Sequence, residues 1–192
     1  MKKLIVLAFA ATSALAFKNI TSFQVDPAGS KVTWTASKVT GTHTGNVQIK
    51  AGELKMDGGK LTGGSFDIDM TSITCTDLEG EWRDKLVGHL KSPDFFGTEK
   101  FPTSRLVISR AIPIDTKGNY KVIGNITIKG ITKEIRFNAK VSEAGGKPLA
   151  TAKITLDRTD FDVRYGSGSF FDGLGDKTIY DEFDLQVSLA VK

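Results

Sequence analysis

The feature that most constrains this chain is a hydrophobic period of two. In Lys31–Lys38, Val32, Trp34 and Ala36 alternate with Thr33, Thr35 and Ser37. In Ser65–Thr71, Phe66, Ile68 and Met70 alternate with Ser65, Asp67, Asp69 and Thr71. In Ile131–Val141, Ile131, Ile135, Phe137, Ala139 and Val141 share one face, and Thr132, Glu134, Arg136, Asn138 and Lys140 share the other. Near the end, Phe183, Leu185, Val187, Leu189 and Val191 alternate with Asp184, Gln186, Ser188 and Ala190. Each reads as a strand with one dry and one wet face. Shorter candidates lie between them: His43–Lys50, Leu106–Ile114, Tyr120–Lys129 and Leu149–Leu156. Leu106–Ile114 is the least regular, because Val107 and Ala111 are apolar on the opposite face. Turn signals stand at Asp57-Gly58-Gly59, Lys117-Gly118-Asn119, Lys129-Gly130 and Gly145-Gly146-Lys147-Pro148. About eight sequential strands with short connections favour antiparallel neighbours, closed as a barrel or packed as a sandwich.

One segment breaks the pattern. From Thr76 to Leu90, Leu78, Trp82, Leu86 and Leu90 recur every four residues, which predicts an amphipathic helix. Thr76-Asp77-Leu78-Glu79 has the form of a capping box with Thr76 as N-cap. Ser92-Pro93 then starts a short helical turn that Gly97 can end in the left-handed conformation. A helical hairpin carrying Trp82, Phe95 and Phe96 therefore interrupts an otherwise all-β chain.

Residues 1–16, MKKLIVLAFAATSALA, read as a secretory signal peptide with cleavage near Ala16, which makes residues 17–192 the mature domain. Removing Lys2 and Lys3 leaves 24 cations against 22 anions, with no basic stripe of the kind that binds nucleic acid. The short Lys-Lys start looks bacterial, so the expected compartment is the periplasm or the medium. The single Cys75 cannot form an internal disulfide, so the fold rests on its core, with Cys75 as a small buried hydrophobe.

Motifs that carry chemistry are scarce. The chain has no G-x-S-x-G elbow, P-loop, H-E-x-x-H or C-x-x-C. His43 and His89 have no ligand-like spacing, and no metal site is expected. Asp157, Asp160, Asp162, Asp172, Asp176, Asp181, Glu182 and Asp184 could supply paired carboxylates for hydrolysis. Arg158, Arg164 and Lys177 lie among them, which favours local salt bridges. The interior of a closed eight-stranded barrel can be packed with side chains or can hold one small ligand. Composition leaves both open, and a filled interaction module remains an alternative.

Several segments resemble the YceI-like family of periplasmic polyisoprenoid- and lipid-binding proteins. His89-Leu90-Lys91-Ser92-Pro93-Asp94-Phe95-Phe96-Gly97, followed by Glu99-Lys100-Phe101-Pro102-Thr103, is similar to the family's H-L-x-S-x-D-F-F run and its [FY]-P-T. Residues Tyr120 to Lys133 resemble Y-x-V-x-G-x-L-T-I-x-G-x-T-K. Arg158-Thr159-Asp160-Phe161 stands where the family has R-x-D-F, and Ser72-Ile73-Thr74 fits its S-I-x-T. The ordered set covers nearly all of residues 22–191. Asp162 departs from the family, which usually has Gly after R-x-D-F.

The resemblance implies a lipocalin-like eight-stranded antiparallel barrel with an inserted amphipathic helical hairpin. It implies a carrier or store for a polyisoprenoid, quinone or fatty-acyl lipid, with no catalytic residues and no required cofactor. Homodimers and transient membrane contact are further expectations. The apolar members of each alternation should then line a tunnel: Val32, Trp34, Phe66, Ile68, Met70, Leu106, Ile108, Ile126, Ile128, Ile135, Phe137, Ile154, Leu156, Leu185, Val187 and Leu189. The helical hairpin should add Trp82, Leu86, Phe95 and Phe96, while His43, Arg158 and Tyr165 are candidate headgroup contacts.

Overall fold

The structure, a computed structural model, describes residues 19–192. The signal peptide predicted at residues 1–16 lies outside them. Nine strands form one antiparallel sheet: β1 (Ile20–Gln24), β2 (Lys31–Lys38), β3 (Gly41–Asp57), β4 (Lys60–Asp69), β5 (Thr103–Pro113), β6 (Asn119–Ile128), β7 (Ile131–Ala144), β8 (Lys147–Asp157) and β9 (Ile179–Ala190). Among the described residues a single α-helix, α1 (Gly80–Lys91), lies between β4 and β5.

The sheet closes into an eight-stranded barrel. From β3 to β9 every strand pairs with its sequence neighbour, and β2 joins β3 to β9. The ninth strand adds no ninth position in the wall. β1 pairs with the second half of β3 (Gln24↔Glu53) and β2 with the first half (Val32↔Val47). Together they occupy one wall position, broken at residues 26–30. Ser30 Oγ patches the break by accepting the Ala190 N–H at 3.0 Å.

Bulges explain where the alternation is hard to read. In β3 the inward residues are Val47 and Ile49, then Gly52, Leu54 and Met56 after a register shift between Ile49 and Ala51. One extra residue inverts the face of everything that follows, so period two stops at Lys50 although the strand continues to Asp57. A shift between Ile108 and Arg110 does the same in β5. Val107 points outward and is exposed, whereas Ala111 faces inward beside Val122. The second apolar phase of Leu106–Ile114 is therefore two things: Ala111 continues the inward face past the bulge, and Val107 lies on the outer face before it.

The barrel has two unlike ends. The β3–β4, β5–β6 and β7–β8 turns gather at one, called here the hairpin end. The other, the lid end, carries α1, the turn after it and the long β8–β9 connection. Toward the lid end the wall is incomplete. The β7–β8 ladder stops at Asn138↔Lys153, and Ile131–Phe137 of β7 has no β8 partner. Lys133, on the same inward register as Ile126, reaches Asp160 there with its Nζ at 3.1 Å.

The helix starts later than the Thr76 capping pattern predicts. Its N-cap is Glu79, with no side-chain bond. Residues 74–77 instead run along the free edge of β3: Thr74 N–H donates to Asn46 O and Thr76 N–H to Thr44 O, both at 2.9 Å. Backbone groups engaged by a sheet edge are not available to a helix turn. Burial grows along α1, from exposed Trp82 through half-buried Leu86 and Val87 to buried Leu90. Only its C-terminal half is seated on the barrel. After it, Gly97 ends the turn at φ +56°, with its N–H on Ser92 O at 2.8 Å.

Candidate functional site

The interior is not fully packed. Two abutting voids lie along the barrel axis, of about 100 Å³ and 110 Å³, on a measure by which one water needs about 10–15 Å³. Only apolar atoms are exposed to either space. Val32, Ile68, Ile126 and Leu185 border both.

The void nearer the hairpin end exists because its wall is short of side chain. Ala139 and Ala152 are cross-strand partners, with Ala150 beside them, and these three methyl groups face the larger Leu54, Leu61, Leu106 and Phe137. Phe66, Ile108, Ile154, Val187 and Leu189 complete the lining named from sequence. The void nearer the lid end is bordered by Trp34, Met70, Phe95, Phe96 and Ile128. Trp34 is fixed by its indole N–H donating to Thr74 O at 3.0 Å, its ring packed over Gly45, where any Cβ would strike that same carbonyl.

Four of the residues expected to line the tunnel do not border the voids. Trp82 is a correction: it is 72% exposed on the unseated half of α1, with Lys85 Nζ 5.1 Å from its ring. Leu86 packs half-buried against the core from outside the barrel. Ile135 and Leu156 sit at the lid-end seam where β7 and β8 part, Leu156 buried and Ile135 half-buried. Sequence reasoning missed Ile49, just before the bulge of β3, Leu54 beyond it, and Leu61 at the start of β4. It also missed Leu90, Ile73 and Ser104, which carry no alternation signal.

The three candidate headgroup contacts are placed differently from expectation. His43 lies outside the voids, its Nδ1 2.8 Å from Asp77 Oδ2. Burial by itself would raise the Asp77 pKa, but the Thr44 N–H, His43 and Cys75 hold it below the usual carboxylate value. Tyr165 is 51% exposed, its ring edge-on to His89 at 4.4 Å. Arg158 does border the lid-end void but is only 2% exposed and fully committed. Its Nε donates to Tyr180 O, Nη1 to Val163 O and Tyr165 O, and Nη2 to Ile179 O, all at 2.8–3.1 Å. Asp181 Oδ1 lies 3.1 Å from Nη2, and the Phe95 ring packs 5.6 Å away. Burial pushes its pKa down against the pull of Asp181 and Asp157. Arg158 is a clamp holding the β8–β9 connection shut, with four of its five N–H groups on main-chain carbonyls and its charge beside Asp181.

His89 stacks between Phe95 and Tyr165, and burial lowers its pKa despite nearby Asp94. Its Nε2 is buried without a hydrogen-bond partner. Four of the eight acids of residues 157–184 are dispersed into pairs: Asp160 with Lys133, Asp162 with Arg164, Asp181 with Arg158 and Asp184 with Lys153. Among the described residues no group of three or more His, Cys, Asp or Glu could hold a metal ion. Cys75 is free and buried.

A closed eight-stranded antiparallel barrel with a helix over one end has a lipocalin-like fold. The chain belongs to the YceI-like domain family, which matches residues 23–191. Among solved structures it is similar to BcnA of Burkholderia cenocepacia, with TM-score 0.67 and 23% identity, covering 86% of this chain and 98% of that one. It is also similar to a polyisoprenoid binding domain from Saccharophagus degradans implicated in plant cell wall breakdown, with TM-score 0.65 and 13% identity, covering 87% and 95%. At these identities the likeness is one of fold. A UPF0312 protein of Shewanella baltica is 26% identical over 126 residues, and the match spans 62% of each chain.

Proposed function

We propose that this barrel holds a long apolar chain in its interior, as a carrier or store for a polyisoprenoid, quinone or fatty-acyl amphiphile. The observation that carries the reading is the pair of abutting voids exposing only apolar atoms. A dry void in a folded protein costs on the order of 2 kcal/mol per 100 Å³ relative to a filled one. Together the voids come to about 210 Å³, room on the order of seven water-sized groups at the roughly 30 Å³ that each occupies in the liquid. A methylene is about the size of a water, so a chain of roughly that many carbons fits without displacing a side chain. Burying such a chain gains about 0.8 kcal/mol per methylene before the costs of ordering and docking it. The structural likeness to a polyisoprenoid binding domain supports the same class of ligand.

The reading is of a binding protein and not a catalyst, since four of the eight acids named for hydrolysis are engaged in ion pairs and none of the eight borders a void. The predicted signal peptide supports a periplasmic or secreted location. Membrane contact, if the carrier loads from a bilayer, falls to the lid end. There Trp82, Tyr165, Phe170, Phe171 and Tyr180 are exposed, with Arg164 over the Phe170 ring at 4.5 Å.

Native mass spectrometry of protein purified from its own host tests the reading, with a lipid adduct as the expected result. Ile128→Trp should fill the lid-end void and lower chain uptake at least tenfold while the barrel stays folded, because free space absorbs bulk that a packed core would not. A homogeneous bare mass, with no uptake of isoprenoid or acyl probes, overturns it.

A further inference from the structure

No polar atom is exposed to either void, but one unpartnered hydroxyl lies just behind the lining. Four residues with polar side chains border the voids: Thr151, Tyr180, Arg158 and Ser104. Thr151 pairs with exposed Lys140 and shares its outward face. Tyr180 is exposed at the surface, and Arg158 is committed as a clamp. Ser104 differs from all three. It is 4% exposed, it borders the lid-end void, and its Oγ is buried with no hydrogen-bond partner. Its register places it inward: it pairs with Ile68, which borders both voids.

A buried hydroxyl without a partner is destabilising, and such groups in native folds are few enough to require an explanation. Alanine at this site would fold without the cost. The hydroxyl turns on one bond about a Cβ on the inward face, so a polar atom of a bound molecule at this level could meet it. A serine hydroxyl both donates and accepts, so it serves a ligand hydroxyl or carbonyl equally. It cannot neutralise charge. The one cation bordering the void has its donors on backbone carbonyls and its charge beside Asp181. An ionised carboxylate or phosphate lodged here would be buried without a partner, which is prohibitive.

We propose that Ser104 is the internal polar contact for the ligand, and that the group it meets is an uncharged oxygen: an alcohol, a quinone carbonyl or an amide. This rests on the carrier reading above. It specifies that the ligand's polar end, or a polar atom along its length, lies at the level of Ile68 and Ile128 below the lid, and not in solvent beyond it.

The test compares three probes on wild type, Ser104→Ala and Ser104→Thr by titration: geranylgeraniol, a branched hydrocarbon of the same length, and geranylgeranyl diphosphate. Ser104→Ala should weaken geranylgeraniol binding on the order of fivefold, the scale of one neutral hydrogen bond, and leave the hydrocarbon unchanged. Ser104→Thr, which keeps the hydroxyl, should retain the preference for the alcohol. The diphosphate should bind wild type no more tightly than the alcohol. Equal losses for alcohol and hydrocarbon, or no loss for either, overturn the assignment while leaving the carrier reading intact. A diphosphate bound much more tightly than the alcohol overturns the uncharged class. If no probe binds wild type, the carrier reading itself fails and this inference fails with it.

Discussion

The two ends of the barrel are built by opposite means. At the hairpin end, neighbouring strands are joined by tight turns whose geometry is local. Gly58 and Gly59 sit at φ +54° and +79°, and Gly145 and Gly146 at +59° and +77°. Paired positive values are what two-residue hairpin turns need to match strand twist. At the lid end, closure depends on groups far apart in sequence. Arg158 ties residues 163–165 to 179–180 through carbonyls, and the segment before α1 lies on β3. Local turns join strands at both ends, at the lid end between β2 and β3 and between β6 and β7, but only the lid end also carries a cover held by long-range polar bonds. The end held by separable bonds is the one next to the void with Ser104, where a ligand's polar group is proposed to lie.

The largest effect should come from the clamp. Arg158→Met removes the donors of four main-chain carbonyls and leaves Asp181 without its cation. Loss of one partner of a buried ion pair costs about 3–5 kcal/mol, to be read from urea denaturation. A loss under about 1 kcal/mol would mean the lid end does not depend on Arg158, and the contrast between the ends would fail. At the hairpin end, Gly145→Ala places a Cβ in open space, so only the left-handed backbone is penalised. The expected loss is about 1–2 kcal/mol, with ligand uptake unchanged in the same titration. A drop in uptake would show that the two ends are coupled.

The smallest effect is a pH slope at the lid end. His89 has a folded-state pKa below its ordinary 6.5, chiefly through burial. As the pH falls through 6.5, the unfolded chain takes up this proton first. The stability due to neutral His89 is thus present above that pH and is lost on acidification, until the folded imidazole protonates as well. His89→Gln should flatten this part of the stability curve, measured as melting temperature between neutral and mildly acidic buffer. An unchanged slope would place the titration elsewhere.

Much of the wall was legible because alternation is a local signal. β2, β7 and β9 each keep one phase over their inward residues, and their apolar sets can be read directly. β3 could be read only to Lys50, since a bulge is set by what the partner strand needs and leaves no local mark. Arg158 was misassigned for a related reason. An arginine among acids looks solvated or ligand-facing, and its real partners are main-chain oxygens that carry no sequence identity. Trp82 fitted a helical stripe, but a stripe does not tell which half of a helix reaches the core. Ser104 is invisible to patterning because its significance lies in the lack of a partner.

The pairing of β2 with β9 has a consequence for the order of events in folding. Every other seam of the barrel joins strands close in sequence, whereas this one joins Val32 to Val187, from opposite ends of the chain. Contacts of that separation form late, after the entropy of closing the intervening loop has been lost. Until β9 arrives, the molecule is an open sheet with free edges on β2 and β8 and its apolar concave face in water. Such edges template pairing with other chains. A chain cut short before Ile179 would therefore lose more than its last strand: it would be an aggregation-prone open sheet, with no enclosed space in which to hold a ligand.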